Sequence, residues 1–452
     1  MSLQRKLGFA TIFAIVTGNM VGSGLFFTPG ELASVAVAHW QVYFFWGLCG
    51  LITLCGALTL AELSILLPRP GVMYHSATEA YGPFAGFFQG WVQILISGPG
   101  SIAGIAILFG ELANQMLGIQ SDSLRIVWAI SAILFFVAVN LRGAEWGGGT
   151  QVIITAAKIG GIMALVVGAI FFAAPAPLEV VTSVGEADDG LFATIRVIGL
   201  GVAVVLFTYD GWADASHLAG EVKNPQKNLP LAMGFGVVFI TLMYLLVNYA
   251  FLRVVSLDFM RENPTLVAMS VAKAAFGETG SIIISVLMWV SIFGALGGLI
   301  MSIPRLYYAT VSGFKEAASK TFLGPFFNAL SYLSPKRSVP TGALLYSAAI
   351  AIIAILFFGT FSRIVGFLVV PLQCINIMVV SSIFILRPRL SKPESFRTPG
   401  YPFVPAIFII IMSMFMVSAV IYNPLDSLVG IVLSLSAIPV YLRLKKAKNE
   451  QV

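Results

Sequence analysis

Three features of the chain carry residue types whose chemistry demands a partner. Asp210 stands beside Thr208, Tyr209 and Gly211 in VVLFTYDGWADASHLAGEV, a segment apolar enough to lie in lipid. An ionised carboxylate there costs at least a few kcal/mol unless something pairs with it, so an intramembrane acid marks a functional site by default. Gly18, Gly22 and Gly24 fall within FAIVTGNMVGSGLFFTPG, with Pro29 beyond them. Each glycine weakens a helix by about 1 kcal/mol relative to alanine, which predicts a break, although small residues also permit close helix packing. Lys158 is the sole charge in QVIITAAKIGGIMALVVGAI, eight residues into its apolar run, or about 12 Å at 1.5 Å per residue. That depth disfavours snorkelling to the interface, and the free carbonyls of a broken first helix are candidate partners for its ammonium.

These residues are held by a chain of 452 residues that is 58% hydrophobic and only 10% charged, with a mean hydropathy of +0.94. Soluble domains carry about a quarter charged residues, which excludes a cytosolic enzyme or a nucleic-acid binder. The net charge of +6 signals no basic partner surface, because Lys and Arg sit in short loops between apolar runs. Cys49, Cys55 and Cys374 all lie inside apolar segments, and His39, His75 and His217 have no ligand-spaced neighbours. No disulfide framework, metal site or other cofactor is therefore signalled. The first apolar run continues into a full span without a small-residue cleavage site, so no cleaved signal peptide is expected.

A bilayer core needs about 20 apolar residues per helix. Twelve stretches meet that need, near 8–34, 41–67, 84–117, 124–141, 150–174, 191–219, 229–254, 278–308, 339–357, 360–387, 402–421 and 425–443. Their length and continuity exclude a transmembrane barrel, and the fold expected is an all-α polytopic membrane protein. With an even number of spans, the side of the termini carries nineteen Lys and Arg, Arg305 and Lys392 among them, against six on the other side. This bias puts both termini in the cytoplasm. No hydrophilic segment is long enough to host a separate soluble domain, so the function lies within the membrane.

The two weak points occupy comparable depths in the first and sixth spans. That is the expectation for an inverted repeat of five helices plus five, with halves at 8–174 and 191–387 and two further helices at 402–443. An unwound turn frees backbone N–H and C=O groups at the midplane: a half-helix N-terminus attracts a carboxylate, and free carbonyls accept from an ammonium. Such a site suits a zwitterion.

Four stretches carry a resemblance to a known family: VGSGLF at 21–26, ALTLAELSILLPRPGVMYHSATEAYGPFAGF at 57–87, FTYDGWADASHLAGEVKNPQKNLPLA at 207–232, and FRTPGYPFVPA at 396–406. The chain resembles the amino acid, polyamine and organocation permeases, and within them the L-type amino acid transporter branch. The resemblance implies a LeuT-like fold with helices 1 and 6 unwound around an amino acid substrate. It further implies that the N–H groups of Ser23 and Gly24, with the Ser23 hydroxyl, bind the substrate carboxylate beside Gly22. Carbonyls of Met20, Val21, Phe207, Thr208 and Asp210 would receive the α-ammonium. Phe207 would gate the substrate from outside and Trp212 support the unwound turn. Lys158 matches a position where related permeases hold a Lys in place of a sodium site, so sodium would not be required. The family varies at Asp210, with glycine in some members, so no essential role follows for its side chain.

Two departures limit what carries over. Animal members have a Cys between helices 3 and 4 that links a heavy-chain glycoprotein, whereas GIQSDSL at 118–124 has none, so no obligatory heavy chain is implied. The chain also lacks an Asn-x-Ser/Thr sequon, which fits a bacterial inner membrane protein.

Elsewhere, Glu62, Arg69 and Glu221 are expected to pair charges across cytoplasmic loops, and Glu111 to reach interfacial water. Ser97, Gly98, Pro99 and Gly100 should kink the third span, with packing or substrate contact both open there. FGALGGL at 293–299 reads equally as tight helix packing or as room for a substrate side chain, and NPTLVAMSVAKAAFG as a short outer helix that can act as a lid. The function expected is a sodium-independent amino acid transporter working by alternating access. Exchange of small or medium neutral L-amino acids is favoured over proton symport, in which Lys158 or Asp210 would titrate. A non-transporting amino acid sensor is the alternative of another class. An enzyme is not expected, since no nucleophile, His and acid share a depth.

Overall fold

The computed structural model describes residues 4–176, 191–358, 361–390 and 395–449; Lys392 and position 360, the expected start of the tenth span, lie outside them. Among the described residues twelve helical stretches are long and apolar enough to cross a membrane. In order they are Phe9–Ala33, His39–Leu66, Pro83–Leu117, Asp122–Leu141, Ala144–Phe171, Val197–Glu221, Pro225–Val254, Glu278–Ser319, Thr341–Phe358, Gly366–Leu390, Phe403–Tyr422 and Pro424–Asn449. The eleventh buries little more than Pro405, Phe408 and Met412, as befits a helix on the periphery.

The eighth span departs most from expectation, because it continues as one 42-residue helix to Ser319. Arg305 was expected among the loop cations of the cytoplasmic side. It is instead fully buried within this helix, where its Nε lies 2.9 Å from Oε1 of the equally buried Glu221 at the end of the sixth span. A paired charge does not have to end a span. Glu62 is likewise buried: it lies 3.4 Å from Arg387 and accepts from the Thr398 N–H at 2.6 Å. Glu111, by contrast, sits partly exposed 3.8 Å from Arg125.

Among the described residues five spans are interrupted: the tenth breaks at Ser382 alone and the twelfth at Ser436 alone, and the other three carry larger distortions. The first runs as helix Phe9–Met20, leaves helical geometry at Val21, and resumes as Gly24–Ala33. In the sixth, helix ends at Leu206, a short 3-10 turn covers Phe207–Tyr209, Asp210 is extended, and a second 3-10 stretch runs Asp214–Glu221. Gly211 turns the chain with φ of +102°, and a Cβ there would lie 2.8 Å from Cβ of Asn19, so both conformation and space call for glycine. The third span contains a π-helical turn at Gln93–Ser97, just before Gly98 and Pro99. Pro99 has no N–H to continue the ladder, which accounts for the wider turn.

The connection between the seventh and eighth spans forms two short helices, Leu257–Glu262 and Val267–Phe276. The second buries Val267, Ala268, Val271 and Ala272, and Arg261 fastens the first by donating to the carbonyl of Ala33 at 3.1 Å. At the opposite end, Leu7 forms an isolated β-bridge with Val222. The N–H groups of Lys6 and Leu7 donate to the Glu221 carbonyl at 2.8 and 2.9 Å, and that of Lys223 donates to Leu7 at 2.8 Å.

Candidate functional site

The breaks in the first and sixth spans meet around one cavity of about 120 Å³. Met20, Gly22, Ser23, Gly24, Phe207, Thr208 and Asp210 all stand on its wall, together with residues of the third, eighth and tenth spans. Helix Gly24–Ala33 docks directly on the sixth span: the hydroxyls of Thr28 and Thr208 share a hydrogen bond of 2.8 Å, and a Cβ on Gly24 would lie 2.6 Å from Thr208 Oγ1. Among the described residues, the N–H groups of Ser23, Gly24 and Leu25 have no intramolecular acceptor. Unpaired N–H groups at the start of a helix are a ready anion site.

Val21, Trp212 and Lys158 are near but not on that wall. The Lys158 ammonium donates to the carbonyls of Gly18 and Val21 at 2.7 and 2.9 Å, in full burial. It belongs to a polar stripe on the fifth span, since Gln151, Thr155 and Lys158 are spaced to share a helix face. Thr155 donates to the Ala14 carbonyl at 3.0 Å and Gln151 to that of Gly294 at 3.1 Å. Trp212 is buried behind the unwound turn, its ring 5.3 Å from that of Phe408.

The carbonyls of the first break are already engaged. That of Val21 accepts from Lys158 and from the Ser291 hydroxyl at 3.0 Å. That of Met20 accepts from the Gly22 N–H at 2.9 Å and from the Tyr244 hydroxyl at 2.7 Å. A carbonyl has two lone pairs, so these two are fully engaged, while on the sixth span the Phe207 and Thr208 carbonyls accept from the Asp210 N–H at 3.2 Å and the Tyr244 hydroxyl at 3.3 Å, and Asp210 is exposed to the cavity.

Several residues of this site escape sequence reasoning. Tyr244 joins the two breaks, reaching the carbonyls of Met20 and, at 3.3 Å, Thr208. Asn19 donates through Nδ2 to Asp214 at 2.7 Å, and both line the cavity. Asp214 had a visible signal, an acid one turn after Asp210, whereas Tyr244 and Ser291 in apolar helices had none. Among the described residues no three His, Cys, Asp or Glu converge as a metal site.

Comparison with known proteins agrees with this architecture. The family model for amino acid permeases matches residues 7–441. The chain is 32% identical over 450 residues to the serine/threonine exchanger SteT of Bacillus subtilis (strain 168), covering 99% of this chain and 98% of that one. It is 27% identical to the b(0,+)-type amino acid transporter 1 of Mus musculus, over 93% of this chain and 84% of the other. Among solved structures it matches Mhp1, a nucleobase-cation-symport-1 family transporter in a closed conformation with bromovinylhydantoin bound, with a TM-score of 0.57 at 15% identity, covering 96% and 94% of the two chains. At that identity the likeness speaks to the fold, which is the LeuT-like one. With a family model across nearly its whole length and transporters rather than enzymes as relatives, this multi-pass membrane protein belongs to the amino acid permease family.

Proposed function

We propose that the chain is a sodium-independent exchanger of small or medium neutral L-amino acids, working by alternating access in a bacterial inner membrane. Both termini lie in the cytoplasm and no heavy-chain subunit is required. The five-span units 8–174 and 191–387 are the repeats that rock around the site, with 402–443 appended.

The observation that carries this reading is the placement of opposite partners on one cavity wall. The free N–H groups of Ser23 and Gly24 face a carboxylate, and the backbone of Phe207, Thr208 and Asp210 on the same cavity offers acceptors to an ammonium. Phe207, 39% exposed at the rim, is the gate, and Trp212 backs the turn beneath it. Lys158 supports sodium independence, because a fixed ammonium already bonds Gly18 and Val21, the carbonyls a cation would use. Exchange is supported by SteT, whose name describes a serine/threonine exchanger.

The test is uptake of a panel of radiolabelled amino acids into proteoliposomes, with and without internal amino acid, a pH gradient and sodium. Uptake is expected to need internal amino acid and to ignore replacement of sodium by choline. Uptake into empty vesicles driven by an inward proton gradient would overturn exchange in favour of symport, and binding without uptake would make the protein a sensor.

A further inference from the structure

The twelfth span ends in cations that the cavity does not use. About twenty residues cross a bilayer core, and twenty counted from Pro424 end at Arg443, with Lys445, Lys446 and Lys448 following in the same helix. Beside it the eighth span runs out through Lys315 to Lys320. The two stretches, 312–323 and 437–449, hold six cations and one acid, Glu316. A basic chain end ordinarily frays, but this one is fastened. Leu444 and Ala447 are buried, and the Tyr441 ring lies 5.2, 5.7 and 6.1 Å from those of Phe84, Phe87 and Phe314 on the third and eighth spans. Lys445, Lys446 and Lys448 are left exposed, and among the described residues none of them lies within 4 Å of a carboxylate.

Arg443 and Lys446 stand three residues apart, which puts them on one helix face. The Arg443 guanidinium lies 5.4 Å from the centre of the Phe322 ring, and Phe322, 71% exposed, follows Lys320 by two residues. Two cations of one span, a third from its neighbour and an exposed aromatic ring thus meet at the depth of lipid headgroups. We propose that this corner, between the ends of the eighth and twelfth spans, holds the headgroup of an anionic phospholipid from the surrounding bilayer. Basic residues clustered at the end of a spanning helix attract anionic lipid, and the fastening of this helix turns diffuse attraction into a site. Arg443 offers phosphate oxygens a planar pair of N–H donors, and Lys446 and Lys320 add charge. A zwitterionic headgroup carries its own ammonium, which these cations repel, so the site separates lipids by charge. A lipid fits better than a soluble acidic partner because Phe322 and Leu442, 57% exposed, set apolar surface beside the cations, where the first methylenes of a lipid chain would lie.

The experiment is native mass spectrometry of the full chain in detergent, titrated with phosphatidylglycerol or phosphatidylcholine of the same acyl chains. The native protein is expected to retain phosphatidylglycerol at least five-fold better. Arg443→Gln with Lys446→Gln should bring the two lipids near parity, and Phe322→Ala, which keeps every charge, should lower phosphatidylglycerol retention at least two-fold. Lys336→Gln with Arg337→Gln removes as much charge at the end of the fourth span, where Arg337 donates to the Leu141 carbonyl, and should leave the preference intact. Equal retention of both lipids by the native protein overturns the proposal, as does an unchanged preference in both patch variants. An equal loss in the Lys336 and Arg337 variant would reduce the effect to net charge, and displacement of the lipid by a soluble polyglutamate peptide would make the corner a site for an acidic protein instead; either result overturns it.

Discussion

Gly294 of the eighth span leaves the space that the Lys158 stem fills: a Cβ at 294 would lie 2.6 Å from Lys158 Cε and 3.0 Å from its Nζ. The same rule holds along the span. A Cβ on Gly297 would meet Phe136 at 2.4 Å, and one on Gly298 would meet Asn19 Oδ1 at 1.7 Å. The small residues of FGALGGL thus admit side chains of neighbouring spans, while Ala295 and Leu299 face the cavity.

Gly294→Ala should therefore push the ammonium off the Gly18 and Val21 carbonyls without removing it. Exchange is expected to fall about ten-fold, the effect of roughly 1.4 kcal/mol, with Lys158→Met falling further. Initial exchange rates in proteoliposomes check this, and a native rate in Gly294→Ala would mean that the ammonium's position is immaterial.

Gly24 and Thr208 offer a rescue test. Gly24→Ala places a methyl 2.6 Å from Thr208 Oγ1 and 2.8 Å from its Cγ2, which should wedge the two breaks apart and cut exchange by an order of magnitude or more. Thr208→Ala in the same chain removes those atoms and should restore part of the lost rate. A double variant no better than Gly24→Ala would contradict the docking described here.

The buried Arg305 and Glu221 form the third case. Removing one partner of a buried ion pair costs about 3–5 kcal/mol, because the other charge is left uncompensated. Glu221→Gln and Arg305→Met are each expected to lower the unfolding temperature in detergent markedly, and the double variant should be more stable than either single one. Additive losses would mean that the two side chains do not act as a pair.

Tyr244→Phe removes one hydroxyl from the carbonyls of Met20 and Thr208, at a cost of about 1–2 kcal/mol for a buried hydrogen bond. The half-saturating amino acid concentration should rise several-fold, since that bond sets the spacing of the two breaks. An unchanged concentration dependence would assign the hydroxyl to packing alone.

The spans and their breaks were legible because lipid permits few structures and because glycine, aspartate and lysine are conspicuous within it. Gly22 and Asp210 are at the breaks, and Lys158 lies against the first of them. What the sequence did not disclose is partnership over long separations. Tyr244 in an apolar helix looks the same whether its hydroxyl bridges two carbonyls or simply packs, and Arg305 looks like a loop cation until Glu221 is found beside it. Engagement of the Met20 and Val21 carbonyls was hidden for the same reason: their partners, Tyr244, Lys158 and Ser291, come from three other spans.

The bridge between Leu7 and Val222 gains meaning beside the bond between Asn19 and Asp214. One joins the start of the first span to the end of the sixth and the other joins them next to their breaks, so these limbs of both spans are clasped at both ends. Two rods fixed at both ends behave as a single lever. Any hinge movement of these limbs must then swing them together, pivoting at Ser23 and Gly211, or undo both clasps at once.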